Sequence, residues 1–393
     1  MTTRTFPDGF RWGTATAAHQ VEGGNWNSDW WRWEHTPGSP CKEPSGDACD
    51  QYHRYADDLA LLAGLGFDSY RFSIEWARIE PDEGEFSKAA LDHYKRVCSA
   101  CIAAGLEPVV TFHHFTSPRW VADAGGWESP DTADRFARYC GTAAGHLAAL
   151  IGTACTINEP NVVGFCGHRL GVFPPGKTDK EAYRRATETL ATAHRRAVDA
   201  IKSARADLPV GLTLSMSDYQ AVDGAEAERD RVRAHMEDVY LDACHGDDFF
   251  GVQTYTRTRV GADGVTGPEA GVAVLPMGYE YWPDALEATL RRAWEYLEGE
   301  VPLLVTENGI GTEDDEQRVA YVTAALEGVL RCLDDDIDVR GYTYWSAFDN
   351  FEWIFGYGPK FGIVAVDRET QERMPKPSSS WLGAIAKANS LSG

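Results

Sequence analysis

The chain has no apolar run approaching the roughly 18 residues that a membrane-spanning helix requires, so no membrane role is expected. Its amino terminus, MTTRTFPDGFRWGTATAAHQ, meets Pro7, Asp8, Gly9 and Trp12 before any apolar stretch. It therefore lacks the basic-then-hydrophobic order of a secretory signal, and a cytoplasmic protein is expected. It also has no Lys/Arg-rich tract: 37 basic against 60 acidic side chains leave a net charge of −23. Such a surface repels nucleic acid and anionic membranes. Nor is there a disulfide framework, because nine cysteines are an odd number, better explained as small buried residues and surface thiols. Cys98 and Cys101 form a C-x-x-C within the helical stretch VCSACIAAGLEP, but no second ligand pair accompanies them. Helix packing is the expectation there, and no metal or other cofactor is implied. Cys41 and Cys49 share one polar loop and would pair only under oxidation.

No low-complexity linker divides the 393 residues, so residues 1–393 read as one domain. What repeats is a type of unit. Short β-branched or apolar runs (Ser69 to Ile74, Glu107 to Thr111, Thr153 to Ile157, Val210 to Ser215, Phe249 to Gln253, Pro302 to Thr306, Val339 to Tyr344) alternate with stretches of helical period such as DQYHRYADDLALLAGLG and EQRVAYVTAALEGVLRCL. With a less regular run around Phe10 to Ala18 they number eight. Alternation of this kind predicts an α/β protein with a parallel sheet, and a count of eight suggests closure into a (β/α)8 (TIM) barrel, although periodicity alone also allows an open doubly wound sheet.

Polar and aromatic residues gather just after these runs, as HHFTSPRW, NEPN, ENG and WSAFDNFEW. In a barrel the carboxyl ends of the strands converge on one face. Glu159 of TINEPN and Glu307 of VTENG each follow a run immediately, so both would point at the same mouth. Two convergent carboxyls are the equipment for breaking an acetal, one protonating the departing oxygen while the other attacks or supports the sugar carbon. A separation of about 5 to 5.5 Å implies a covalent intermediate and retention, about 6.5 to 9.5 Å a water and inversion; the sequence does not choose between them. A single Glu among 60 acidic residues is most simply a solvated or capping side chain, and it is the pair that carries weight.

The ordered blocks GFRWGTATAAHQVEG, RFSIEWARIEP, TFHHFTSPRW, TINEPN, DFFGVQTY, VTENG, GYTYWSAFDNFEWIFGYGPKFGIVAVD and MPKPSSSW span nearly the whole chain. On them the chain resembles glycoside hydrolase family 1, the β-glucosidase family. The resemblance implies a retaining β-glycosidase acting on terminal β-D-glycosides, with Glu159 as acid/base and Glu307 as nucleophile. It implies that Gln20, His114, Asn158, Glu352 and Trp353 hold sugar hydroxyls, that Trp345 is the floor under the ring, and that Phe361 and Tyr255 belong to the substrate site. Tyr255 and Arg71 would also flank the nucleophile, with Gln253 in support. Indole faces suit the C–H faces of a sugar, and amide, imidazole and carboxylate suit its hydroxyls.

Two departures from the family pattern stand out. Gln253-Thr254-Tyr255 replaces the usual Asn-Tyr-Tyr, and the segments Gly164 to Lys180 and Thr256 to Pro283 are short, which predicts a more open entrance. Glu352 would repel a phosphate dianion, so an unphosphorylated sugar is expected. A transglycosidase of the same fold and β-galactosidase or β-fucosidase specificity are the alternatives. A metal hydrolase built on His113 and His114 is disfavoured, since adjacent strand residues face opposite sides.

Overall fold

A computed structural model describes residues 3–392. Eight strands, β1 (Arg11–Ala15), β2 (Ser69–Ser73), β3 (Glu107–His114), β4 (Thr153–Asn158), β5 (Val210–Ala221), β6 (Phe249–Gly261), β7 (Leu303–Asn308) and β8 (Val339–Trp345), follow one another. Each pairs in parallel with the next. β8 returns to β1, with Gly341 opposite Arg11 and Trp345 opposite Ala15. That last pairing closes the barrel and excludes the open sheet. Strands such as SYRFS, TACTIN and LLVTEN are buried at every residue, as required when helices cover one face and packed side chains fill the other.

The helices between them are α1 (Gln51–Leu65), α2 (Lys88–Ala104), α3 (Asp131–Leu147), α4 (Lys180–Ala204), α5 (Glu226–Arg233), α6 (Ala285–Tyr296) and α7 (Asp315–Asp334), and α8 (Pro377–Ala388) closes the series. Their starts are written locally. Ser87, Asp179 and Asp314 each accept a backbone N–H of the first turn, satisfying donors that the helix cannot. Cys98 and Cys101 are buried on the inner face of α2. Cys41 and Cys49 are both free thiols, and Cys49 Sγ donates to the Asp349 carbonyl.

Registers across the barrel bring His114 level with Asn158 and Gln253 level with Glu307, so the carboxyl ends of the strands share a rim. β5 and β6 run on past the sequence-based limits at Ser215 and Gln253, remaining paired as far as Ala221 opposite Val260. The extension follows a register irregularity between Met216 and Asp218 and is largely half-buried, which is why it carries no continuous apolar signal. Close approach at the rim requires glycine: a Cβ on Gly309 would lie 2.1 Å from the Trp345 carbonyl oxygen. Among the described residues no helix is long and apolar enough to cross a membrane.

Candidate active site

Glu307 is the next-to-last residue of β7 and is 3% exposed. Arg71, from the middle of β2, donates to its Oε1 at 2.5 Å, and the Tyr255 hydroxyl donates to its Oε2 at 2.6 Å. Burial raises the Glu307 carboxyl above its usual value, against the pull of the Arg71 cation and of donors from Tyr255, Arg71 and Gln253. Tyr255 itself is held protonated, its pKa raised well above the usual value by burial and by the charge of Glu307. It remains a donor.

Glu159 stands one residue beyond β4, where the chain takes a left-handed turn at φ 44° and Pro160 opens the next short helix. That backbone region costs a non-glycine residue of order 1 kcal/mol or more, a strain concentrated at functional sites. Its amide donates to the Thr213 carbonyl at 2.8 Å, which fixes the turn against β5. Burial drives the Glu159 carboxyl well above the carboxylate range and the charge of Glu307 drives it further, against a smaller pull from Arg71. With the cation and the phenol both on Glu307, the proton of the pair resides on Glu159.

Both carboxyls line a cavity of about 170 Å³, together with Gln20, His114, Phe115, Tyr255, Trp345, Glu352, Trp353 and Phe361. Val162, Phe173, Met277 and Tyr279 complete its wall. Four polar atoms on its lining residues, Gln20 Oε1, His114 Nδ1, Tyr279 Oη and Glu352 Oε1, are buried without a partner. Their ligands must come from the cavity's occupant, because a buried unpaired polar atom costs about 1–3 kcal/mol. Burial lowers the His114 pKa well below the usual value and Arg71 adds to this, so the ring is neutral. Asn158 Nδ2 donates to its Nε2 at 3.2 Å, and His114 Nδ1 therefore carries the hydrogen and is a donor. Glu352 is raised to about 8 by burial foremost, so it too offers a proton near neutral pH.

Aromatic rings laminate one side. The His19 ring lies 5.5 Å from Trp353 at 5°, His114 lies 6.2 Å from Trp353 at 12°, and His114 lies 5.6 Å from Trp345 at 19°. Of these rings His114, Trp345 and Trp353 line the cavity, and an indole face suits the C–H face of a sugar.

The sequence-selected residues do not all reach the cavity. Asn158 is fully buried behind it, its Oδ1 accepting from Arg71 at 2.5 Å and from Gln253 at 3.1 Å. Arg71 and Gln253 occupy the same layer. The longer arm of Gln253 thus bridges Asn158 while also facing Glu307. His113 turns away, packing edge-on against Trp127 with its Nε2 on Ser117. The expected repulsion by Glu352 weakens at neutral pH because that carboxyl is raised; what remains is that no Lys or Arg lines the cavity and that Lys360 Nζ donates to the Tyr357 carbonyl. Phe115, Val162, Phe173, Met277 and Tyr279 were not legible beforehand. Val162 sits in the short helix opened by Pro160 and the others in loops without periodicity; Phe173, Met277 and Tyr279 come from the two shortened segments.

The family model described as Glycosyl hydrolase family 1 matches residues 2–261 and 257–391. A thermostable beta-glucosidase B from Thermobispora bispora is 36% identical over 98% of this chain and 92% of its own length. A bifunctional beta-D-glucosidase/beta-D-fucosidase from Bifidobacterium breve is 34% identical over 96% of this chain and 97% of its own. The crystal structure of beta-glycosidase BGL167 superposes with a TM-score of 0.92 at 53% identity, covering 99% of this chain and 98% of that one.

Proposed function

The chain belongs to glycosyl hydrolase family 1, and from that premise we propose that it is a retaining β-glycosidase, of β-glucosidase type, in which residues 1–393 form one catalytic unit. The observation that carries the reading is the pair of buried carboxyls in one cavity held in opposite charge states, Glu307 by Arg71 and Tyr255, Glu159 by burial and by Glu307. The oxygen of Glu307 attacks the anomeric carbon as the bond to the aglycone oxygen breaks, and the Glu159 proton passes to that oxygen. Once Glu307 is an ester its charge is gone. The Coulombic part of the upward shift on Glu159 then disappears, and the carboxylate takes a proton from the incoming water, which cleaves the ester with net retention.

Gln20, His114 and Glu352 supply a mixed set of acceptor and donors for glycone hydroxyls, and Trp345 and Trp353 supply the face. Asn158 acts through His114 and Arg71. Because no cation lines the cavity, a 6-phosphoglucoside is expected to be turned over at least about tenfold less efficiently than the glucoside, one unpaired buried charge costing more than 1.4 kcal/mol. The bifunctional relative makes β-fucoside a second substrate to test. Nine free thiols, seven of them buried, and the absence of a membrane-crossing helix among the described residues support a cytoplasmic setting.

The test is chemical rescue. Glu307→Gly is expected to lose hydrolysis of an aryl β-glucoside and to regain turnover with azide, giving the α-azide. Glu159→Ala is expected to keep substrates with good leaving groups and give the β-azide with azide. Wild-type turnover by purified Glu307→Gly, or an α-anomer as the first product of the wild type by proton NMR, would overturn the assignment. Comparing aryl glucoside, galactoside, fucoside and 6-phosphoglucoside in the same assay fixes the glycone.

A further inference from the structure

On the outer side of the barrel, away from the substrate cavity, His194 of α4, Cys244 of the short 3-10 turn Asp242–Cys244 and Asp247 of the approach to β6 bring a nitrogen, a sulfur and an oxygen within 4.8 Å of one another. We propose that these three side chains form a structural site for a zinc-like divalent cation, with water in the fourth position.

The donor set fits. Imidazole, thiolate and carboxylate are the ligands zinc takes, and in a tetrahedral shell at about 2.0–2.3 Å they lie about 3.3–3.7 Å apart. His194 Nε2 and Asp247 Oδ2 are already 3.2 Å apart. Charge fits as well: one thiolate and one carboxylate neutralise a dication, so the loaded site carries no net charge into a buried position. The surroundings of the imidazole point the same way. Thr156 Oγ1 donates to the Gly211 carbonyl at 3.5 Å and lies 2.8 Å from His194 Nδ1. That contact engages Nδ1 and leaves Nε2 as the ring nitrogen facing the Asp247 carboxylate. His194 is 1% exposed and Nε2 has no hydrogen-bond partner. Asp247 Oδ2 accepts one backbone N–H, from Leu212 at 3.2 Å, and the carboxylate keeps further lone pairs for a cation. The Thr156 contact is the outer-sphere hydrogen bond that orients a metal-binding imidazole. On loading, Cys244 loses its thiol proton to solvent and the sulfur takes the metal; burial holds that thiol protonated otherwise. The Asp247 side chain, 6% exposed against 1% for that of His194, is the least closed of the three. The site would clamp α4 to the segment entering β6.

Full-length protein stripped with a chelator is titrated with Zn2+ and, separately, with Co2+, alongside Cys244→Ser and Asp247→Asn. One zinc per chain, a raised Tm and a thiolate-to-cobalt charge-transfer band are expected for the wild type, with each variant binding at least about tenfold more weakly. The cobalt band is read on the wild type, so it stands even if a variant folds poorly. Absence of saturable binding at micromolar zinc, or equal zinc and an equal cobalt band in both variants, would overturn the site. Glycosidase activity of the stripped wild type reports separately on the carboxylate chemistry.

Discussion

The state of Glu307 depends on individual atoms that can be removed one at a time. Tyr255→Phe deletes one donor to its Oε2. A donor to the ionised form lowers a carboxyl pKa, so its loss raises that of Glu307, and the acidic limb of kcat/KM against pH is expected to move to higher pH. At the acidic edge the loss is about tenfold, the low end of a hydrogen bond to a charged group. An unmoved limb would mean that Tyr255 does not hold the charge. On the proposed mechanism the alkaline limb belongs to Glu159, whose proton goes to the aglycone; since the charge of Glu307 raises its pKa, Glu307→Gln is expected to lower the pKa of Glu159, measurable by direct titration in carbon-13 NMR. At this scale the sequence was informative where chemistry and strand ends coincide. Glu159 and Glu307, each beside an Asn after a β-rich run, could be found from the residues alone, whereas the choice of acid and nucleophile needed the family resemblance. Phe173, Met277 and Tyr279 could not be found, because only tertiary contacts decide which loop side chains turn inward. The His194, Cys244 and Asp247 group was equally hidden, its members lying on distant stretches of chain without ligand spacing.

Among the elements, the helix starts are the most local feature. Asp314 accepts from Glu316 and Gln317 N–H groups, and Asp314→Ala is expected to cost about 1 kcal/mol, read as a lower urea midpoint with unchanged slope. Its removal leaves the cavity untouched, so KM should not change. The strands were placed as short β-branched or apolar runs, buried on both faces, and helices α1 and α7 by buried faces that repeat every 3.6 residues. The outer ends of β5 and β6 were missed for the reason that makes them unusual: once they leave the barrel they are half-exposed, and TRTRVG and SDYQA keep hydrogen-bond pairing without an apolar face.

For the whole molecule, closure was the property periodicity could not decide. It is settled by β8 pairing with β1, a contact between opposite ends of the sequence. Its buried acids set a stability trend of similarly global origin. Asp29 is raised to about 7, and Glu75, Glu237 and Glu352 to about 8, chiefly by burial. Between the unfolded carboxylate range and these values the folded chain holds more protons than the unfolded one, so stability falls as pH rises. Buried His93, at about 4, and His113, at about 3, oppose this only below the ordinary histidine range. Above about pH 6.5, the unperturbed histidine value, these acids are joined by buried thiols such as Cys49 and Cys98, raised to about 12 by burial, which act in the same direction. Denaturant unfolding is therefore expected to show lower stability at pH 8.5 than at pH 6.5; equal or greater stability at pH 8.5 would mean that these carboxyls are ionised in the fold.

The laminated wall of His19, Trp353, His114 and Trp345 makes the cavity its own optical reporter. Two of the chain's 13 indoles flank an imidazole at the point where a sugar would lie. An occupant that displaces solvent from Trp345 and pairs with His114 Nδ1 alters the polarity and the quenching that those indoles experience. Binding of a non-hydrolysable glycoside can thus be followed by intrinsic fluorescence in the unmodified protein, and a Trp345→Phe chain supplies the blank.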